Sequence, residues 1–322
     1  MSSAIAQAAK RLAHWRKYPE SMVREEFHTE PDDWQLEALR AFASNDPQAQ
    51  RIAMKACKGP GKTAVLAWMI LNFLACYGTK GSHPKGAATG ITEKNLDDNL
   101  WPEISKWMQR SPFFTAAFEW SKSRIVARDH PETWFFSKRT WPKSADQSQQ
   151  ADTLAGLHAD YILFVLDESG GIPNAVMATA EAGLSSAIWS KIVQGGNPTH
   201  LDGPLYDACS KHRHLWTVIE ITGDPDDPRR SKRINIKWAR DQIEMYGADN
   251  PWVLVNVFGK FPPASLNAIL GPDEVNAAMR VQLDPDSYAW AEKRLGVDVA
   301  RFGDDRTVLF PRQGLRTFRP LV

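Results

Sequence analysis

The sequence predicts an α/β fold, a mainly parallel β-sheet flanked by helices with a P-loop at the C-terminal end of one strand. Three stretches carry that reading. Arg51 to Met54 is a short, partly apolar run. It leads into Ala56-Cys57-Lys58-Gly59-Pro60-Gly61-Lys62-Thr63 and then into the almost wholly apolar residues 64–77. Strand, glycine-rich turn and helix follow in the order such a loop requires, with Gly78 as a stop. Tyr161-Ile162-Leu163-Phe164-Val165-Leu166 is a continuous apolar run, as a parallel strand buried on both faces needs, and Asp167-Glu168 follows it directly. Ser190 to Gln194 reads as a further strand, closed by Gly195-Gly196-Asn197-Pro198-Thr199.

The first stretch departs from G-x-x-x-x-G-K-[ST] at Ala56, where the first glycine is expected. Its chemistry survives that change. Gly59 and Gly61 let backbone N–H groups turn inward around an anion, at a helix N-terminus that already favours negative charge. Lys62 can reach the β/γ-phosphates and the Thr63 hydroxyl can sit on Mg²⁺. Cys57, Lys58, Gly59, Pro60, Gly61, Lys62 and Thr63 are therefore the candidate nucleotide-binding residues. A plain Gly/Pro turn ahead of a core helix is the bland alternative.

The second stretch decides between them. Asp167 and Glu168 stand at the C-terminal end of a strand, where open α/β sheets bind ligands. Asp167 can hold Mg²⁺ through water, and Glu168 can polarise the water that attacks a γ-phosphate. Acidic residues after a strand can also simply cap a helix. Both motifs in this order, about a hundred residues apart, imply an ATPase that uses ATP and Mg²⁺.

Bulk properties bound the class. The chain has 322 residues, 43% hydrophobic and 24% charged, enough for one large α/β domain and part of another. A net charge of +1 leaves nucleic acid open as a partner, since a local basic patch can hide in a neutral total. The first residues lack a basic segment leading into an apolar one, and no apolar run is long enough for a membrane span. Cys57, Cys76 and Cys209 are far apart, with no C-x-x-C pair, which argues against a zinc site and suits a reducing cytoplasm.

Four segments are expected. Residues 1–45 form a helical segment. It begins with a basic, Ala-rich helix from Ala4 to Tyr18 and continues with a helix capped by Asp32 or Asp33. Trp34-Gln35, some twenty residues before the loop, is placed for adenine: the Gln35 amide can donate to and accept from the base edge, and Trp34 can pack the ring. Residues 46–262 form the P-loop domain. Gly86 to Ile91 is its second strand, and the following helix carries Leu96, Leu100, Ile104, Trp107 and Met108 at core spacing. Thr92, Lys94 and Asn95 lie at that junction, where nucleic acid can be touched.

Further along, Arg124 to Ala127 and Thr133 to Phe136 read as a hairpin, and residues 139–150 as a lid. A charge in such a lid, best Arg139, can act on the phosphates of a neighbouring subunit. Asn197 or Thr199 is placed to sense the γ-phosphate; the alternative is a Gly/Pro loop. His214 to Ile221 makes a strand. A basic cluster follows (Arg229, Arg230, Lys232 and Arg233), then a helix from Ile236 to Tyr246. Residues 263–290 are a proline-containing linker with a short helix near 273–280. Residues 291–322 open a new sheet, with Asp298 inside its first strand and a turn at Gly303-Asp304-Asp305.

Taken in order, Trp34-Gln35, the 56–63 loop, residues 154–168, 195–199, 257–261 and 296–305 resemble the large subunit of a tailed-phage DNA-packaging terminase. The resemblance runs over essentially the whole chain. It implies an ASCE, RecA-like ATPase and a C-terminal RNase H-like nuclease, here cut short after its first hairpin. Implied with it are double-stranded DNA, a portal protein, a small terminase subunit, a homo-oligomeric ring and a place in the host cytoplasm. Lys62 and Thr63 would bind phosphate and Mg²⁺, Asp167 the metal, and Glu168 would be the base. Residues 195–199 would couple hydrolysis to motion. Some members carry an arginine in the loop; Lys58 stands near that point, so Lys58 and Arg139 both remain candidates for the catalytic cation. Asp298, helped by Asp305, would bind Mg²⁺ or Mn²⁺ for the nuclease. Two other readings stay open: a helicase-like DNA translocase, which needs a second RecA-like lobe, and a non-catalytic prophage remnant.

Overall fold

In a computed structural model, residues 3–141, 146, 149, 152–185, 187–263, 277–300 and 306–321 are described. The chain divides into two compact units, Met1–Ala268 and Ile269–Val322.

The first unit is built on one eight-stranded sheet. Its strands are β1 (Arg51–Ala56), β2 (Lys85–Thr89), β3 (Phe118–Trp120), β4 (Arg124–Ala127), β5 (Phe135–Lys138), β6 (Tyr161–Asp167), β7 (Trp189–Gly196) and β8 (Thr217–Ile221). They stand in the order β3-β4-β5-β2-β6-β7-β1-β8. From β5 to β8 every pairing is parallel; β3, β4 and β5 pair antiparallel. A buried parallel sheet favours apolar runs over alternation, and Ile162 through Leu166 are all fully buried. The expected hairpin forms with Ile125 opposite Phe136, but its second strand is Phe135–Lys138 rather than 133–136, since residues 133 and 134 belong to the turn. The short β3, exposed at Glu119 and Trp120, extends it.

Strand order is what shapes the site. β7 lies between β1 and β6, with Met54 opposite Gly195 on one side and Asp167 opposite Gly195 on the other. The C-terminal end of β7 therefore separates the glycine-rich loop from the two carboxylates.

After β1 the helix Lys62–Cys76 runs beneath the sheet and is buried almost all round. An amphipathic pattern is absent from its sequence because it has no solvent face. The helices Ser3–Lys17 and Pro19–Phe27 cover its outer side, and Asn72 Nδ2, fully buried, donates to Trp15 O. The 93–110 segment is a helix with a wide turn at Leu96–Leu100, and Leu96, Leu100, Ile104, Trp107 and Met108 all face the core.

The second unit contains a three-stranded antiparallel sheet in the order β11-β10-β9, made of β9 (Lys293–Asp298), β10 (Val308–Gln313) and β11 (Arg316–Thr317). Asp298 pairs with Val308 at its end. Residues 277–280 are helical; the rest of the helix expected near 273–280 lies outside the described residues, as do most of the lid between 142 and 151 and Asp305.

Candidate nucleotide site at the end of the sheet

Two glycines make the loop possible. Gly59 and Gly61 have φ of 77° and 99°, a left-handed backbone that residues with a Cβ rarely adopt. The loop then enters the 62–76 helix with Lys62 as its first residue. Lys62 is 6% exposed, and its ammonium must find partners at the sheet edge. Nζ donates to Asn197 Oδ1 at 3.0 Å and stands 3.9 Å from Glu168 Oε1. Asn197 Nδ2 in turn donates to Ala56 O at 2.9 Å, so one side chain ties the start of the loop to its lysine.

The carboxylates sit in contrasting surroundings. Asp167 is 3% exposed, and burial together with the adjacent Glu168 charge pushes it up to about 7. Lys62 and the Glu168 N–H, which donates to Asp167 Oδ1 at 3.1 Å, oppose that rise. Glu168 is partly exposed and has φ of 52°, one of two positive-φ residues other than glycine among the described residues. That backbone costs ~1–3 kcal/mol and aims the side chain toward Lys62. Glycines let the turn after Glu168 close on β7. A methyl group on Gly196 would lie 2.8 Å from Gly170 N, and one on Gly170 would lie 2.5 Å from Asn197 O.

A cleft of about 360 Å³ opens here, lined by Lys58, Ile91, Asn95, Glu168, Asn197 and Thr199. A larger cavity of about 890 Å³, beside Trp101, Trp120 and Lys138, contains none of the loop or carboxylate residues. Chemistry rather than volume therefore marks the smaller one.

Several expected residues behave differently in detail. The Cys57 and Lys58 N–H groups already donate to Ile221 O and Asn256 O, both at 2.9 Å, and so are turned away from any phosphate. Burial pushes the Cys57 thiol up to about 12, which leaves it an inert apolar filler. Lys58 does line the cleft. Pro60 has no N–H to offer. Trp34 is 5% exposed and packed in the core, so it has no free face for a base. Gln35 is fully buried: Oε1 accepts from Asp32 N at 2.8 Å in a capping box, while Nε2 has no partner. Only half of the donate-and-accept role expected of Gln35 is left to it.

Arg139 follows β5, and its guanidinium donates to Ala155 O at 2.7 Å. Thr199 bonds to Asn197 O and His200, not to Lys62. Asp298 stands exposed at the end of β9 in the second unit. Among the described residues no group of three or more metal-ligating side chains occurs. No described helix is long and apolar enough to cross a membrane.

One set of neighbours was not anticipated. The chain after β8 folds back over the loop, with Gly223 N donating to Val257 O and Ser231 N to Thr222 O. This brings Ile234 against Gly59 and Arg233 against Gly61. The basic run from Arg229 to Arg233 was visible in the sequence, but nothing local says what it covers.

Comparison with known proteins agrees with the motif resemblance. No family model matches. The probable terminase large subunit of Enterobacteria phage P7 is 30% identical over 170 residues, spanning 49% of this chain and 32% of that protein. The HK97 bacteriophage large terminase superposes with a TM-score of 0.59 at 11% identity, covering 92% of this chain and 64% of that one. The large terminase of a thermophilic bacteriophage, solved in complex with ADP, gives 0.52 at 14% identity, covering 88% and 65%. The chain thus spans about a third of the curated relative and just under two thirds of these structures. Its α/β fold is that of the large terminases.

Proposed function

We propose that this chain is the ATP-hydrolysing motor subunit of a phage DNA-packaging terminase, moving double-stranded DNA into a procapsid. The observation that carries the proposal is the Asn197 bridge. It joins the loop strand to Lys62 and places Lys62 beside Glu168, so that loop, sensor and carboxylate form one unit. A terminase-like fold and a terminase relative support the same reading.

In that reading Lys62 binds the β/γ-phosphates and would leave Asn197 for them when nucleotide enters. Glu168, partly exposed at the cleft, orients the attacking water and takes its proton. Asp167 and Thr63 fit a metal: a buried carboxylate at the strand end and a hydroxyl one residue past Lys62. Mg²⁺ held there would neutralise phosphate charge. When Lys62 exchanges Asn197 for phosphate, the β7 end loses a bond to the loop. That exchange is a physical route from the γ-phosphate to the rest of the unit. Lys58, in the cleft, and Arg139, acting on a neighbouring subunit, are the two candidates for the cation that stabilises transition-state charge.

The partners follow from the same proposal: a portal protein, a small terminase subunit and further copies in a ring, in the host cytoplasm. The segments 1–45, 46–262, 263–290 and 291–322 would serve as helical base, motor, linker and the opening of an RNase H-like nuclease. Asp298 and Asp305 would be the nuclease's first metal ligands, for Mg²⁺ or Mn²⁺. Hydrolysis of ATP by the purified chain, with and without linear duplex DNA, tests the motor role. Stimulation by DNA is the expected result; hydrolysis indifferent to DNA at every concentration would contradict it.

A further inference from the structure

Two side chains from distant parts of the sequence converge on one point above the loop. A methyl group placed on Gly61 would lie 3.1 Å from Gln35 Nε2, 3.4 Å from Arg233 Cδ and 3.6 Å from Arg233 Nε. Neither terminal group is otherwise committed: Gln35 Nε2 is buried without a partner, and the exposed Arg233 guanidinium has none among the described residues. A buried amide left unpaired is unfavourable and marks a place where a ligand acceptor would be welcome.

Asp32 holds both in place. Its carboxylate Oδ2 accepts from Ser231 Oγ at 2.8 Å and from Lys232 N at 3.0 Å, fixing the backbone beside Arg233. Its own N–H donates to Gln35 Oε1 at 2.8 Å, which fixes which end of the Gln35 amide faces the loop. The group turned toward Gly61 is therefore a donor only.

We propose that Arg233 and Gln35 form a purine clamp, positioned by Asp32. Resting on the ATP reading above, the guanidinium lies on the face of the base while Gln35 donates to a ring acceptor. Arg is suited to the first task because its plane is delocalised, weakly hydrated and stacks on π-systems. A donor-only amide pairs with N7, which adenine and guanine share. Its oxygen is directed to the Asp32 N–H rather than toward the loop, so it is not presented to the adenine amino group. The clamp therefore selects purines over pyrimidines and separates ATP from GTP weakly.

Displacement of a fluorescent ATP analogue by ATP, GTP, CTP and inorganic tripolyphosphate tests this, in the full chain and in R233A, R233K and Q35A variants checked for native unfolding temperature. ATP and GTP should compete within about threefold of each other, and CTP at least about tenfold more weakly. R233A should weaken ATP and GTP by about 3- to 30-fold, in keeping with a stacked cation, and leave tripolyphosphate unchanged. R233K should recover only part of that loss. Unchanged ATP affinity in R233A, or an equal loss for tripolyphosphate, would overturn the clamp. ATP preferred over GTP by a hundredfold would overturn the donor-only assignment. A chain that binds neither nucleotide nor tripolyphosphate would instead remove the ATP reading itself, and the clamp with it.

Discussion

Asn197 Oδ1 accepts a 3.0 Å hydrogen bond from Lys62 Nζ while its amide donates to Ala56 O at 2.9 Å. β7 lies between the loop strand and the carboxylate strand, so this side chain binds the loop strand and its lysine from the strand that neighbours both. Removing it in Asn197→Ala leaves a buried ammonium short of an acceptor, at ~1–3 kcal/mol. Nucleotide affinity should change by less than about tenfold, because phosphate itself can satisfy Lys62, whereas hydrolysis should fall by much more. Equilibrium binding beside steady-state turnover separates the two, and parallel losses would place Asn197 in ground-state binding only.

Glu168 combines a carboxylate at the cleft with a left-handed backbone, φ 52°. Glu168→Gly should unfold at a temperature no lower than Glu168→Ala, since relief of strain of ~1–3 kcal/mol offsets the extra chain entropy of glycine, ~0.5–1 kcal/mol. Both variants should be inactive. If the alanine variant is clearly the more stable, the backbone at 168 is not strained in solution.

Asp167 titrates near 7 when folded against ~3.9 in an unfolded chain. The folded state thus holds a proton that the unfolded state has lost. The stability due to this group is full below about pH 4 and declines as pH rises toward 7, by at most ~1.4 kcal/mol per pH unit, then levels. Asp167→Asn should flatten that part of the stability–pH curve, measured by denaturant unfolding without metal. Equal slopes in both proteins would show that Asp167 is ionised throughout.

Mixing two inactive variants distinguishes the candidate cations. An arginine finger is worth ~10³–10⁵ in rate. If Arg139 acts on a neighbour, Arg139→Ala and Glu168→Gln chains together should recover activity through interfaces that pair one intact Arg139 with one intact Glu168. No recovery at any ratio points to Lys58, within the same chain.

Much of this site was legible because its parts are local. Gly59 to Thr63 and Asp167-Glu168 are contiguous motifs whose backbone requirements are written in adjacent residues. Gly195 to Thr199 was legible as the polar turn that ends a strand, and that strand pairs with the carboxylate strand. Trp34 misled, since an aromatic before Gln35 looks the same whether it stacks on a base or fills a core. The capping box, by contrast, was present in Asp32-Asp33-Trp34-Gln35 as the D-x-x-Q pattern and explains where the Gln35 oxygen goes. Arg233 was out of reach: its approach to Gly61 depends on a turn closed by Asp32, some 200 positions away, and no periodicity records such a contact. The short β3 was missed because two of its three residues are exposed and give no apolar signal.

Glu168→Gln offers the most direct test of the proposed motor. The purified wild-type chain should hydrolyse ATP only with a divalent cation. The variant should bind ATP about as well as wild type but lose turnover, because an amide cannot take the proton of the attacking water. Hydrolysis by Glu168→Gln at the wild-type rate would contradict the assignment of the base, and with it the reading of this cleft as the site of ATP hydrolysis.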